Sequence, residues 1–154
     1  MKFSVAIAFA VLSLACQAQS PGKVEIFSST QIHDQLAQLA LQAKASGSGG
    51  ATLGDYGTHA LKLSERTASG GAEIHAHFDD VMLVMEGRAK LITGGEVIGA
   101  HNGANGETTG SGIRDGTTQT IATGDLVHIP AGTPHQLVIP PGTTYSALVI
   151  KVKE

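Results

Sequence analysis

The sequence lacks several features that would identify particular classes of protein. It has one cysteine, no tryptophan and no run of basic residues in its 154 positions. A single cysteine excludes an intrachain disulfide. Lys and Arg total 10 against 13 Asp and Glu, which gives a formal charge of −3. Because nucleic-acid-binding proteins usually carry a basic patch or stripe, this composition disfavours that class. Hydrophobic residues make up 42% of the chain, enough for a buried core, so wholesale disorder is excluded.

Residues 1–18 have the three-part layout of a secretory signal peptide. A charged start is followed by an apolar run over residues 3–15, and Cys16 and Ala18 place small residues at positions −3 and −1 of a cut after Ala18. The run is shorter than the roughly 20 residues that cross a bilayer, so no membrane span is expected. The chain is therefore predicted to be exported, to the periplasm or outside the cell. The alternative is a lipoprotein, cut before Cys16 and anchored through it.

One amphipathic helix is predicted in residues 19–51, the N-terminal extension that follows the signal peptide. Apolar residues recur at helical spacing at Ile32, Leu36 and Leu39 after a cluster of N-cap residues at 28–30. The glycine-rich residues 46–50 are expected to end this helix.

Beyond the helix the apolar pattern changes to a period of two, in short segments separated by glycine turns. Many short strands of this kind indicate an antiparallel sandwich or barrel, which we assign to residues 52–154. Residues 95–116 are polar, glycine-rich and too long for a hairpin turn, so they predict a loop or a flap-like ribbon. The predicted strands are residues 58–66, 72–77, 81–86, 89–93, 126–129, 136–139 and 145–152.

Two short segments carry the residue types that bind metals. In residues 71–87, His75 and His77 would project to the same face of a strand, where two imidazoles can share one ion. Asp79 or Asp80 can add an oxygen ligand. In residues 124–136, a turn, a strand and a second turn deliver His135.

These two segments resemble the two conserved motifs of the cupin superfamily. The second segment matches through Gly124, Pro130, Gly132 and His135, although Ile139 stands where the family usually has Asn. The resemblance covers roughly residues 52–152.

The first segment matches with one irregularity. His75 and His77 correspond to the paired histidines of the motif, and Gly87 corresponds to its closing glycine. The family's Glu, counted back from that glycine, falls on Asp80. The gap between His77 and Asp80 is one residue shorter than usual, and strict strand alternation would favour Asp79 instead.

The resemblance implies an all-β fold, a cupin-type double-stranded β-helix (jelly-roll barrel) with one N-terminal α-helix. It implies one divalent transition metal ion (Fe, Mn, Ni, Co or Zn), held inside the barrel by the ligand set His75, His77, Asp80 and His135. Glu73 is a candidate catalytic residue for proton transfer, because it would point the same way as His75. Many small cupins pair their sheets, so a homodimer is expected.

Two functions are compatible with the sequence. The first is a metal-binding cupin that acts on a small organic or sugar-like metabolite as an oxygenase, isomerase or lyase. The second is a non-catalytic metal- or small-ligand-binding protein of the cell envelope. The fold alone does not decide between them, because one scaffold hosts many functions.

Overall fold

The computed structural model describes residues 22–154. The predicted signal peptide and Cys16 lie outside the described residues. This part of the chain forms one α-helix followed by a series of short strands. The elements are α1 Ser29–Ser46, β1 Ser48–Asp55, β2 His59–Arg66, β3 Ala72–His75, β4 Phe78–Glu86, β5 Arg88–Thr93, β6 Glu96–Ile98, β7 His101–Asn102, a 3₁₀ turn Ala104–Gly106, β8 Glu107–Gly110, β9 Gly112–Arg114, β10 Thr117–Ala122, β11 Leu126–Ile129, β12 His135–Val138 and β13 Tyr145–Lys153.

The predicted helix is present, and its ends follow from local chemistry. At its start the Ser28 side chain accepts from the Gln31 backbone N–H at 3.2 Å, and the Gln31 side chain accepts from the Ser28 N–H at 2.9 Å. This reciprocal capping box satisfies two backbone donors that the helix cannot. At its end Gly47 adopts a left-handed conformation (φ +90) and donates to Ala43. Leu39 and Ala43 are buried, and α1 packs on β1 and β2.

The strands form two main antiparallel sheets. One has the order β1-β2-β13-β4-β11 and the other β10-β5-β12-β3-β8-β7, while β6 and β9 form a separate two-stranded ribbon. Alternate residues of the facing strands form the hydrophobic core, among them Met82, Val84 and Leu91. This is the double-stranded β-helix barrel with one N-terminal helix that the sequence predicts.

Strand β1 was not predicted, because its three glycines resemble a helix terminator followed by a loop. It nevertheless pairs with β2 from Ser48 opposite Arg66 to Asp55 opposite Ala60, with a shift of register between Thr52 and Gly54. A Cβ on Gly49 would lie 2.6 Å from the backbone oxygen of Leu39, so glycine is needed for the close approach of α1 to the strand. The barrel sheet therefore begins at Ser48, before the boundary at residue 52.

Residues 95–116 are more regular than the predicted loop. Strands β6 and β9 form a ribbon, which agrees with one of the two expectations for this stretch. Strand β8 instead joins the six-stranded sheet beside β3, with His75 opposite Glu107. This part of the stretch therefore belongs to the barrel wall.

The outer face of the five-stranded sheet carries apolar side chains together with a few polar ones, and α1 covers it at one edge. Leu63, on a strand against which α1 packs, is 1% exposed, whereas Leu83 on β4 and Leu126 on β11 are 39% and 70% exposed. A homodimer that covers this face stays a prediction. No helix within residues 22–154 combines the length and apolar character needed to cross a membrane.

Candidate metal centre

A cavity of about 280 Å³ lies between the two main sheets and contains most of the ionisable residues expected at the site. Glu73, His75 and His135 line it from the six-stranded sheet, and Asp80 and Lys151 line it from the five-stranded sheet. His75, Asp80 and His135 are all buried. Buried ionisable groups are costly unless they are paired or bind a metal, so their partners decide what this cluster can do.

His135 is held with one ring nitrogen free for a ligand. Its Nδ1 lies 3.0 Å from the backbone oxygen of Thr133, which can only accept, so Nδ1 carries the proton. The unprotonated nitrogen is then Nε2, which lies 3.8 Å from Asp80 Oδ2. Burial lowers the pKa of His135 and favours the neutral imidazole, which is the form that binds metals.

His75 is held in the same way by a carboxylate. Its Nδ1 lies 2.5 Å from Glu107 Oε2, so this nitrogen donates and Nε2 faces the cavity. Nε2 lies 3.4 Å from Asp80 Oδ2 and 3.6 Å from Glu73 Oε2. Burial acts to lower the pKa of His75, but hydrogen bonds to Asp80 and Glu107 outweigh it, so the net shift is upward.

Two carboxylates complete the cluster. Asp80 places Oδ1 2.7 Å from Lys151 Nζ and turns Oδ2 toward both histidines. Burial acts to raise the pKa of Asp80, but hydrogen bonds from His75 and Lys151 prevail and lower it, so the side chain is ionised. Ligand atoms of Glu73, His75 and His135 all lie within 4.8 Å of one another. Two imidazole nitrogens with carboxylate oxygens are a donor set that divalent transition metals accept.

The structure does not bring His77 to this cluster. Strand β3 ends at His75, and Ala76 and His77 form the turn that follows, so the alternation that would have placed His77 beside His75 is lost. His77 is exposed, and its ring lies beside Gly106, where an added Cβ would come within 2.9 Å of it. The two residues that share the inner face are instead Glu73 and His75. The spacing between His77 and Asp80 is one residue shorter than in the cupin motif. If the spacing is counted from His75 instead, it is no longer too short.

The same turn distinguishes the two aspartates. Strand β4 starts at Phe78, after the turn, so its alternation is independent of β3. Asp80 faces the cavity, whereas Asp79 accepts from His128 Nε2 at 3.0 Å and from the Ala131 N–H at 2.7 Å. Asp79 thereby ties β4 to the turn that precedes His135.

Sequence reasoning missed Glu107, which orients His75. It lies in the glycine-rich stretch that was predicted to be a loop, and no motif marks it. His101 in the same stretch is exposed on β7, away from the cavity. Lys151, the partner of Asp80, was also missed, because it lies on the last strand and outside both motifs.

Fold and site together define a cupin-type barrel with a polar cluster in its interior, and comparison with solved structures agrees. A protein with a double-stranded β-helix domain from Klebsiella pneumoniae superimposes with a TM-score of 0.57 over 85% of this chain and 91% of its own, at 12% identity. A cupin 2 conserved barrel domain protein from Salinispora arenicola gives 0.51 over 86% and 91%, at 19% identity.

An enzyme is among the similar structures. The polyketide cyclase RemF from Streptomyces resistomycificus has a TM-score of 0.51 and 21% identity, over 71% of this chain and 67% of its own. Other similar structures are longer, and the chain spans 61% of one and 49% of another. No protein-family model and no curated protein sequence matches the chain. At these identities the structural likeness establishes the cupin fold alone.

Proposed function

We propose that this protein is a metal-dependent cupin that binds one divalent transition metal ion and acts on a small organic metabolite. The observation that carries the proposal is the orientation of the two buried imidazoles. Each has its Nδ1 bonded to an oxygen that accepts, Thr133 O for His135 and Glu107 Oε2 for His75. Each therefore turns its Nε2 toward one cavity, where both nitrogens face Asp80 Oδ2. Metal-binding histidines are usually oriented by such hydrogen bonds.

The proposed ligands are His75, His135, Glu73 and Asp80. When bound, the ion would supply Lewis-acid polarisation of a coordinated group. The protein's part is to hold the ligands rigidly on strands and to shield the cluster from bulk water. Lys151 neutralises part of the charge of Asp80, which leaves the set less negative than two free carboxylates. Glu73 is the least buried member, with a side chain that is 41% exposed, so it is also the best placed to exchange a proton with solvent.

The proposed enzyme is an oxygenase, an isomerase or a lyase, the same three classes that the sequence predicts. Activity in the cell envelope is part of the proposal, since residues 1–18 have the layout of an export signal. The competing function, a non-catalytic metal-binding protein, uses the same ligands. Only turnover of a substrate by the metal-loaded protein distinguishes the two.

Metal binding is tested by titrating the chelator-treated protein with Co²⁺ and following the visible absorption of the bound ion. We expect one equivalent to bind, and the His75→Ala and His135→Ala variants to lose at least 100-fold in affinity. His77→Ala and His128→Ala are the matched controls and should bind as the unmodified protein does. A protein that binds no cobalt, or His75 and His135 variants that bind it normally, would show that the proposal is wrong.

A further inference from the structure

The wall of the cavity that faces the histidines carries a second polar cluster, unrelated to the metal ligands. Arg66 on β2 and Tyr145 on β13 are directly opposite each other in the sheet register, and both line the cavity. The Tyr145 side chain is completely buried. Among residues 22–154, neither the Tyr145 hydroxyl nor Arg66 Nε has a hydrogen-bond partner, although both atoms are buried.

An unpaired arginine and an unpaired hydroxyl beside a cavity are energetically unfavourable. Arg66 forms no ion pair within the described part of the chain. A buried polar atom left without a partner costs about 1–3 kcal/mol, and more when it is charged. An ordered water or a bound ligand can supply the missing partners and offset this cost.

The Arg66 guanidinium lies against Gly70. A Cβ on Gly70 would lie 2.7 Å from Arg66 Nη1, so any larger residue at position 70 would displace the guanidinium. Gly70 is itself held by its N–H, which donates to Leu137 O at 3.1 Å, and by its carbonyl, which accepts from Gln136 Nε2 at 2.9 Å. The backbone that lies against the guanidinium is therefore fixed by the fold.

We infer that Arg66 and Tyr145 form a carboxylate-binding subsite, so that the ligand of this cavity is a small organic acid. A guanidinium fork pairs with the two oxygens of a carboxylate, and a phenol hydroxyl adds a third donor. Burial raises the pKa of Tyr145 to about 12, which keeps this hydroxyl protonated and able to donate. The cavity walls also carry Lys62 and Lys151 against Glu73 and Asp80, a balance that favours an anion once Arg66 is included.

The inference names the substrate class for the proposed function, but the subsite uses none of the proposed metal ligands. Succinate is a suitable probe because it has two carboxylates and is small enough for the cavity. Its binding is measured by calorimetry, with the uncharged succinamide as the matched control. Succinate is expected to bind and succinamide to bind at least tenfold more weakly. Binding should persist in the His75→Ala/His135→Ala double variant, so a failure of the metal site and a failure of the subsite are separable.

Variants of the subsite should weaken the binding of succinate in a defined order. We expect a loss of about 100-fold for Arg66→Gln and about 10-fold for Tyr145→Phe, which removes only the hydroxyl. Gly70→Ala keeps every charge but displaces the guanidinium, so it should also lower the affinity for succinate several-fold. If Arg66→Gln does not fold, the affinities of Tyr145→Phe and Gly70→Ala for succinate still test the inference.

Lys62→Met removes a different cation from the same strand and cavity. It should change the affinity less than threefold. An equal loss in Lys62→Met and Arg66→Gln would mean that general positive charge, not a subsite, attracts the anion. Equal binding of succinate and succinamide, normal affinity in Tyr145→Phe, or tighter binding of inorganic phosphate than of succinate would also overturn the inference.

Discussion

His75 Nδ1 and the Glu107 carboxylate lie 2.5 Å apart, although the two residues are 32 positions apart in the chain. The contact exists because β8 adds to the edge of β3, which places Glu107 directly opposite His75. A carboxylate in this position fixes which nitrogen of the ring is protonated and makes the other nitrogen a better ligand. The glycine-rich residues 95–116 therefore contribute to the candidate metal centre the residue that orients His75.

The first prediction follows from this contact. Glu107→Ala should lower the affinity for Co²⁺ about 10- to 100-fold, because His75 loses the group that orients it. Competition with a chelator of known affinity measures the loss. Glu96→Ala is the control, since Glu96 lies in the same stretch but pairs with Arg114 on the surface. Unchanged affinity in Glu107→Ala would mean that the contact has no role in metal binding.

Only some residues of the site are positioned by local sequence. His135 lies in the cavity because a turn and a strand of regular length precede it, and both are visible in the motif. His77 does not lie in the cavity, because it falls in the turn after β3. Apolar alternation does not reveal where that turn begins. Glu107 and Lys151 reach the cluster through strand pairings between distant segments. No local pattern records those pairings.

The same distinction holds for the fold. The helix and seven of the thirteen strands of residues 22–154 were predicted from apolar periodicity, although β4 begins three residues earlier than predicted. Strand β1 was missed because Gly49 meets a requirement of helix packing and not of the strand itself. Strand β10 has a single buried side chain, Ile121, so it lacks the alternation that would identify it.

The second prediction separates the two carboxylates of the cluster. Glu73→Gln should lower metal affinity at least tenfold, and Asp80→Asn should lower it less, because Lys151 already engages one oxygen of Asp80. Asp79→Asn is the matched control and should keep the metal. Cobalt titration of the three variants measures the order. A greater loss in Asp80→Asn would make Asp80 the principal carboxylate ligand and leave Glu73 with the proton-transfer role predicted from the sequence.

The third prediction concerns export. The protein recovered from the cell envelope or medium should begin at Gln19, because cleavage after Ala18 satisfies the small-residue rule at positions −3 and −1. Intact-mass spectrometry gives the answer directly. A mass that corresponds to a diacylated Cys16 would establish the lipoprotein alternative. A protein that retains Met1 in the cytoplasm would contradict both forms of export.

The fourth prediction is a pH dependence of stability that originates outside the cavity. Glu65 lies on the outer face of the five-stranded sheet, beside Ser146, which is in turn beside Glu86. Glu65 is only 4% exposed. Burial, with a smaller contribution from the charge of Glu86, raises the pKa of Glu65 from 4.5 to about 7. The folded protein therefore holds a proton on Glu65 at pH values at which the unfolded chain has lost it.

The sign of the effect follows from proton linkage. The folded state binds more protons than the unfolded state between the two pKa values, so the free energy of unfolding falls as the pH rises from about 4.5 to about 7. Glu65→Gln, which stays neutral, should remove this loss and should be more stable than the unmodified protein at pH 8, by about 1–2 kcal/mol. Below pH 4.5 the two proteins should be nearly equal in stability.

The measurement is thermal or urea unfolding of both proteins from pH 4 to pH 8. The difference between the two curves isolates the contribution of Glu65, because the two proteins differ only at this position. Glu86→Gln should reduce the pH-dependent loss only in part, because burial of Glu65 is the larger cause of its raised pKa. Glu96→Gln on the surface should leave it unchanged. Parallel curves for Glu65→Gln and the unmodified protein would mean that the pKa of Glu65 is the same in the folded and unfolded states, which would contradict the prediction.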